Sequence, residues 1–183
     1  TRPILFAILV IAIAAFADTR TGIMSRPSDL YWTQAAIGFA AVFAMGPVMM
    51  EGMLRALAAG PAYVISFIAV FSLSQTLGGL AGVSALSAFH TIRLKTHLID
   101  AGATLTATNQ QLASEIGQIS TGFAATISDP VLQQQAAAAR ISQEVGREAA
   151  VLAFNDVFFL IGSLASIAFV AVLVPWVINR VRG

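Results

Sequence analysis

The sequence contains no cysteine and few charged residues, and each shortage excludes a class of protein. Without cysteine the chain has no disulfide framework, no thiolate nucleophile and no cysteine-ligated metal. Charged residues make up 10% of the chain, whereas soluble domains carry about 25%. The net charge is +1 and the basic residues are scattered, so nucleic acid is not expected as a partner.

Motifs of known catalytic sites are also absent from the sequence. There is no Gly-Lys-Ser phosphate loop, no Gly-x-Ser-x-Gly elbow and no His-Glu-x-x-His zinc motif. His90 and His97 are assigned to the membrane interface rather than to a metal site. We therefore predict that the protein is not an enzyme and that it holds neither a metal nor a cofactor.

The sequence contains several long apolar stretches with few charged residues. Hydrophobic residues make up 57% of the chain and the mean hydropathy is +0.82, which predicts an all-α integral membrane protein in contact with a lipid bilayer. Polar loops are predicted at 18–29 and near 51–61. The predicted membrane spans are about 3–17, 30–50 and 63–90, followed by a last span within 150–183 that ends in a short basic tail.

The first apolar stretch is short for a membrane span. Ile4–Ala17 rises about 21 Å as a helix, less than the roughly 30 Å of a bilayer core. The sequence also begins without a Met. We therefore expect the chain to begin inside a helix and further helices of the same protein to precede Thr1.

The segment 93–149 differs in composition from the predicted spans. It is rich in Gln, Thr, Ser, Ala and mixed charges, and is too polar to cross a membrane. Ile116, Ile119 and Phe123 recur at helical spacing, and Asp129-Pro130 has the residue types of an N-cap and a first helical position. The sequence therefore predicts an amphipathic helical hairpin outside the membrane, between three spans in 1–92 and a last span in 150–183.

Loop charges leave the orientation in the membrane open. Basic residues lie on both sides of the predicted spans, with more of them on the side opposite the termini. Counting alone would place the termini outside the cell. A loop as long as 93–149 has little weight in that rule, however, because long loops cross the membrane largely regardless of charge.

Four sequence features in a fixed order resemble the C-terminal part of the fourteen-helix drug:proton antiporters, the EmrB and QacA group of the major facilitator superfamily. The likeness covers nearly the whole chain. The features are Gln34 to Gly46-Pro47 in one helix, Phe71–Gly82 in the next, a charged exit at His90–Arg93 with His97, and Ala153–Phe158 opening the last helix after a long loop.

This resemblance implies a fold, an activity and several partners. The four helices would be helices eleven to fourteen of a major facilitator fold in a bacterial inner membrane, with the hairpin in the periplasm and the C-terminus in the cytoplasm. The activity would be efflux of small hydrophobic compounds in exchange for protons. The partners would be the missing N-terminal helices of the same transporter and a periplasmic adaptor protein.

Polar residues within the spans are the candidates for a substrate or proton pathway. Asp156 follows Asn155 near the start of the last span, and ionisable groups inside membranes are often functional. Alternatively, both residues cap or anchor the helix at the interface, where charge is less costly. Gln34 and Gln75 line a substrate cavity or hydrogen-bond between helices, since buried amides need partners.

Small residues in the spans are candidates for helix packing or gating. Gly78 and Gly82 have the spacing of a close helix contact, and alternatives are a dimer face or a moving gate. Pro47 lacks a backbone N–H, so Gly46-Pro47 favours a helix kink. The kink either acts as a hinge in gating or has no gating role. The candidate residues for packing or gating are Gly78, Gly79, Gly82, Gly38, Gly46 and Pro47.

Two functions remain open from the sequence. The first is part of a secondary active transporter that works by alternating access, in which a substrate site lies between two helical halves. The second is a small four-span scaffold or assembly subunit, which uses the hairpin as a docking arm and transports nothing. An apolar coding sequence upstream of Thr1 would favour the first, and an initiating Met just before Thr1 the second.

Overall fold

Helices make up 92% of the chain, and no described residue lies in a β-strand. The computed structural model describes residues 2–22, 24–107, 109–124 and 126–182, without the side chains of 27, 104–113 and 182. The helices are α1 (Arg2–Asp18), α2 (Tyr31–Ala59), α3 (Pro61–Ala107), α4 (Asn109–Phe123) and α5 (Pro130–Arg182), with a 3-10 turn at Pro27–Leu30. The all-α prediction is therefore confirmed.

Three of these helices are long and apolar enough to cross a membrane. They lie within Ser28–Ala59, Pro61–Ala103 and Pro130–Val181, which supports a membrane protein. The helix at the first predicted span, α1, has 17 residues, a length at the lower limit for crossing a bilayer. A fourth span at this position stays a prediction.

The helices extend well beyond the predicted spans. α2 continues past Met50 to Ala59, so Glu51 and Arg55 form an exposed ion pair one turn apart on a helix rather than lying in a loop. α3 has 47 residues and α5 has 53. The segments 93–107 and 130–149 are polar, yet α3 and α5 continue through them, because polar side chains do not interrupt backbone hydrogen bonds.

A single residue, Gly60, connects α2 to α3. Its φ of 128° and ψ of 158° lie in a region that essentially only glycine adopts. Its N–H donates to the carbonyl oxygens of Ala56 and Leu57, at 3.1 Å each, and so caps the end of α2. Pro61 then begins α3 with a fixed φ and no N–H that needs a partner.

The chain divides into two compact units, of which the first comprises 1–89 and 155–183. In this unit α1 is closely packed, as the burial of its small residues shows. Ala7 and Ala15 are both 0% exposed. Phe6 meets Phe43 of α2 edge to face, with ring centroids 6.1 Å apart. Small residues with aromatic edges thus form the core, as is common where membrane helices approach closely.

The contact of α1 with α5 in the first unit depends on a glycine. A Cβ atom at Gly162 would lie 3.1 Å from the Phe16 ring, and Phe16 also meets Phe159 edge to face at 6.0 Å. The ring therefore occupies the space that a side chain at Gly162 would fill. Sequence reasoning did not single out this glycine.

The second unit, 90–154, contains the predicted hairpin segment. The carboxylate of Asp129 accepts the Val131 N–H at 2.8 Å, so the predicted N-cap at Asp129-Pro130 is confirmed. Ala137, Ala149 and Ala153 are at most 2% exposed. Residues 108 and 125 of the predicted hairpin lie outside the described residues.

We expect Gly60→Ala to destabilise the protein by about 1–3 kcal/mol, because a Cβ at this backbone conformation is strained. Thermal unfolding in detergent, followed by circular dichroism, measures the change. Gly146→Ala is the matched control, since a Cβ there meets no described atom within 4 Å and the residue is helical. An equal midpoint for wild type and Gly60→Ala would contradict the expectation.

Candidate functional site

A buried carboxylate lies at the end of α1. Asp18 is 3% exposed, and it is the one buried polar or charged side chain among the described residues. Its Oδ2 atom accepts a hydrogen bond from the Gln34 amide Nε2 at 2.7 Å. Gln34 lies on α2 and is exposed. The predicted loop at 18–29 is thus wrong at its first residue, which belongs to the helix and is buried.

A second pair of hydrogen bonds ties α5 to the connection between α1 and α2. The Asn155 amide Nδ2 donates to the Thr21 carbonyl oxygen at 2.8 Å, and the Thr21 hydroxyl donates to Asn155 Oδ1. The same hydroxyl lies 3.3 Å from the Asp18 carbonyl oxygen. Asp18, Thr21, Gln34 and Asn155, which we call the polar cluster, therefore connect three helices.

The chemistry of the polar cluster is one carboxylate among neutral groups. Among the described residues no cation forms an ion pair with Asp18. A buried ionised carboxylate without a cation is costly, since a single neutral donor replaces little of its hydration. A protonated carboxyl or a bound cation would relieve this cost. The polar cluster is therefore a candidate site for a proton or a cation.

The polar cluster includes two of the four predicted pathway residues and leaves two outside. Asn155 and Gln34 belong to it. Asp156 lies next to Asn155 on α5, is partly buried and has an interaction of its own. Gln75 is exposed and lines a cavity of about 360 Å³ with Met45, Phe71 and other apolar residues of α2 and α3.

Sequence reasoning missed Asp18 and Thr21. Asp18 follows directly on the apolar run of α1, which placed it in a loop by composition. A usable signal was present, because a carboxylate ending one apolar run and an amide near the start of the next are brought together when the two helices are antiparallel neighbours.

The predicted packing glycines face open space within this chain. A Cβ at Gly38, Gly46, Gly78, Gly79 or Gly82 would meet no described atom within 4 Å. None of the most apolar stretch of α3 is buried. Pro47 lies inside α2, which stays helical through it. A packing or gating role for these residues stays a prediction.

The structure contains two further cavities, one in each unit. The first, of about 470 Å³, is almost wholly apolar and is lined by α1, α3 and α5, including Ile8, Gly82 and Ala165. The second, of about 350 Å³ in the second unit, has His97, Asp100 and Glu148 among its lining residues. Sequence reasoning overlooked that Asp100 lies one helical turn after His97.

Histidines do not form a metal centre in the part of the chain that the structure describes. No group of three His, Cys, Asp or Glu there is arranged to hold a metal ion. The ring of His90 stacks on Phe154 at 4.3 Å between centroids. Its Nε2 atom is buried and has no hydrogen-bond partner among the described residues.

Comparison with known proteins does not assign the chain to a family. No protein-family model, no curated protein and no solved structure matches it significantly.

We expect Gln34→Leu to destabilise the protein by about 1–3 kcal/mol, because the buried Asp18 carboxylate loses its hydrogen-bond donor. Gln75→Leu is the matched control, since Gln75 borders an apolar cavity and has no partner in the polar cluster. Thermal unfolding of both variants in detergent tests this. If both variants unfold at the same temperature, the bond between Gln34 and Asp18 contributes nothing to stability.

Proposed function

We propose that the chain forms part of a secondary active transporter that exports small hydrophobic compounds in exchange for protons. The observation that carries this proposal is the polar cluster, in which a carboxylate is buried without a cation among apolar helices. Ionisable groups in such surroundings mark ion and proton pathways in membrane proteins. In an assembly subunit the same hydrogen bonds would serve only to hold the helices together.

The open glycine face of α3 supports the view that the chain is part of a larger bundle. Gly78 and Gly79 allow close helix contact, yet no described atom lies within 4 Å of their Cβ positions. Alternating access needs two helical bundles that move against each other. The described helices supply less than that, so the remaining helices of the transporter would cover this face.

Side-chain chemistry supports a hydrophobic substrate. The cavity beside Gln75 is lined mainly by Ala, Val, Met and Phe, and such walls bind apolar ligands by excluding water, with a single polar group to orient them. Methionine is suited to ligands of varied shape, because its side chain is flexible and polarizable. Within the proposal, this cavity is the part of the substrate pathway contributed by α2 and α3.

The resemblance to drug:proton antiporters supplies the rest of the proposal. In that arrangement the membrane is a bacterial inner membrane and the segment 93–149 lies in the periplasm, where it contacts an adaptor protein. Four spans, with α1 as the first, belong to the same proposal.

Bacteria that express the complete coding region should extrude a hydrophobic fluorescent dye, and a protonophore should abolish the extrusion by removing the driving force. Dye accumulation in cells with and without the protonophore measures this. Cells with an empty vector, and cells expressing only residues 1–183, are the controls and should not extrude dye. Extrusion that survives the protonophore would contradict proton coupling.

The coding sequence upstream of Thr1 separates the transporter from the alternative. Further apolar spans in the same reading frame would support a large carrier. A start codon directly before Thr1 would instead support a small four-span scaffold, and an absence of dye extrusion by the complete protein would then be expected.

A further inference from the structure

The carboxylate of Asp18 differs from the other acidic side chains by its burial. It is 3% exposed, whereas Asp29 and Glu51 are exposed and Asp156 is partly buried. It also ends a helix that packs closely against α2 and α5 through small residues and aromatic edges. Water therefore reaches this carboxylate poorly in the arrangement that the structure describes.

The one side-chain hydrogen bond that the Asp18 carboxylate accepts from the described residues comes from a neutral group. From α2 it meets the Gln34 amide. The connection after α1 contributes the Thr21 hydroxyl, which lies near the Asp18 carbonyl oxygen, while Arg20 is exposed. On α5 the polar cluster includes the Asn155 amide, and the ionisable, partly buried Asp156 is the next residue along the chain.

An amide can form a hydrogen bond with a carboxyl group in either charge state. The NH₂ group of Gln34 donates to an ionised carboxylate, and its carbonyl oxygen accepts from a protonated one after the amide rotates. An arginine or lysine in its place would hold the carboxylate ionised. The pair thus permits a change of charge at Asp18 without leaving a buried donor or acceptor unpaired.

A change of charge at Asp18 would act directly on the contact between α1 and α2. The hydrogen bond from Gln34 links α1 to α2, and the two bonds between Thr21 and Asn155 link the residues just after Asp18 to α5. An ionised carboxylate favours access to water, because burial is costly. A neutral carboxyl favours the closed packing. Protonation would therefore bias the packing of α1 against its neighbours.

We propose that Asp18 is the carboxylate that carries the coupling proton, and that Gln34 stabilises it in both charge states. The inference rests on the proposed transport function and assigns the proton to Asp18 rather than to Asp156. A proton from water binds one carboxylate oxygen and forms a neutral carboxylic acid; its release to water on the other side restores the carboxylate. No other bond forms or breaks.

Infrared spectroscopy of the complete protein in membranes tests the proton site without any substrate. We expect wild type to show the carbonyl stretch of a buried carboxylic acid, and Asp18→Asn to lack it. Asp29→Asn is the matched control, because Asp29 is exposed and accepts the Arg26 N–H outside the polar cluster. A band that persists in Asp18→Asn overturns the inference.

Transport in proteoliposomes then tests coupling, with radiolabelled tetraphenylphosphonium as the probe. In Asp18→Asn we expect uptake driven by a proton gradient to fall by about 100-fold, the scale on which loss of a proton-transfer group acts. Exchange of labelled for unlabelled probe without a gradient should persist, because it needs no proton release. Asp18→Glu should restore gradient-driven uptake, which separates loss of coupling from loss of folding.

The infrared and transport measurements together distinguish a wrong assignment of Asp18 from a wrong proposed function. Gradient-driven uptake that is unchanged in Asp18→Asn overturns the assignment of Asp18 and leaves the transport function standing. A protonated carboxyl band that depends on Asp18, in a wild-type protein that moves neither dye nor probe, overturns the proposed function and with it the coupling role. Loss of both exchange and uptake in Asp18→Asn and in Asp18→Glu also overturns the inference, because the residue then acts in folding.

Discussion

Backbone hydrogen bonding within the helices is the constraint on which the rest of this structure depends. In hydrocarbon no water is available for N–H and C=O groups, so a spanning segment satisfies them inside a helix. Continuity follows, because every break exposes several unpaired groups. The chain limits such breaks to a few places, and α2 turns into α3 at one glycine whose N–H completes the preceding helix. Side chains then determine which helix faces pack together.

Composition predicted the class of protein and the approximate places of the long apolar helices, because burial in lipid requires apolar side chains in runs of a certain length. It did not predict where the helices end. The runs at 93–107 and 131–149 are polar but contain no proline, and a helix tolerates polar side chains when they face water. Hydropathy therefore reports the surroundings of a helix, whereas termination depends on residues such as Gly60 and Asp129.

Half of the polar cluster could be predicted from single residues. Gln34 and Asn155 stand out as polar groups in apolar runs, but Asp18 ends such a run and is indistinguishable by composition from the first residue of a loop. Its burial depends on where α2 and α5 pack, which no local pattern contains. The glycine contacts likewise depend on how the helices pack. Gly162 meets the Phe16 ring, although the Gly-rich stretch of α3 was the stronger sequence signal for a packing site.

The one-residue connection between α2 and α3 has a practical consequence for mapping the protein in a membrane. A protease site or epitope inserted there would have to displace either the N–H cap of α2 or the first turn of α3. The connections before α2 and before α5 are longer and carry exposed residues such as Asp29 and Asp129, so they tolerate insertions better. Sidedness is therefore best determined from reporters placed in those two connections, with the α2–α3 turn left intact.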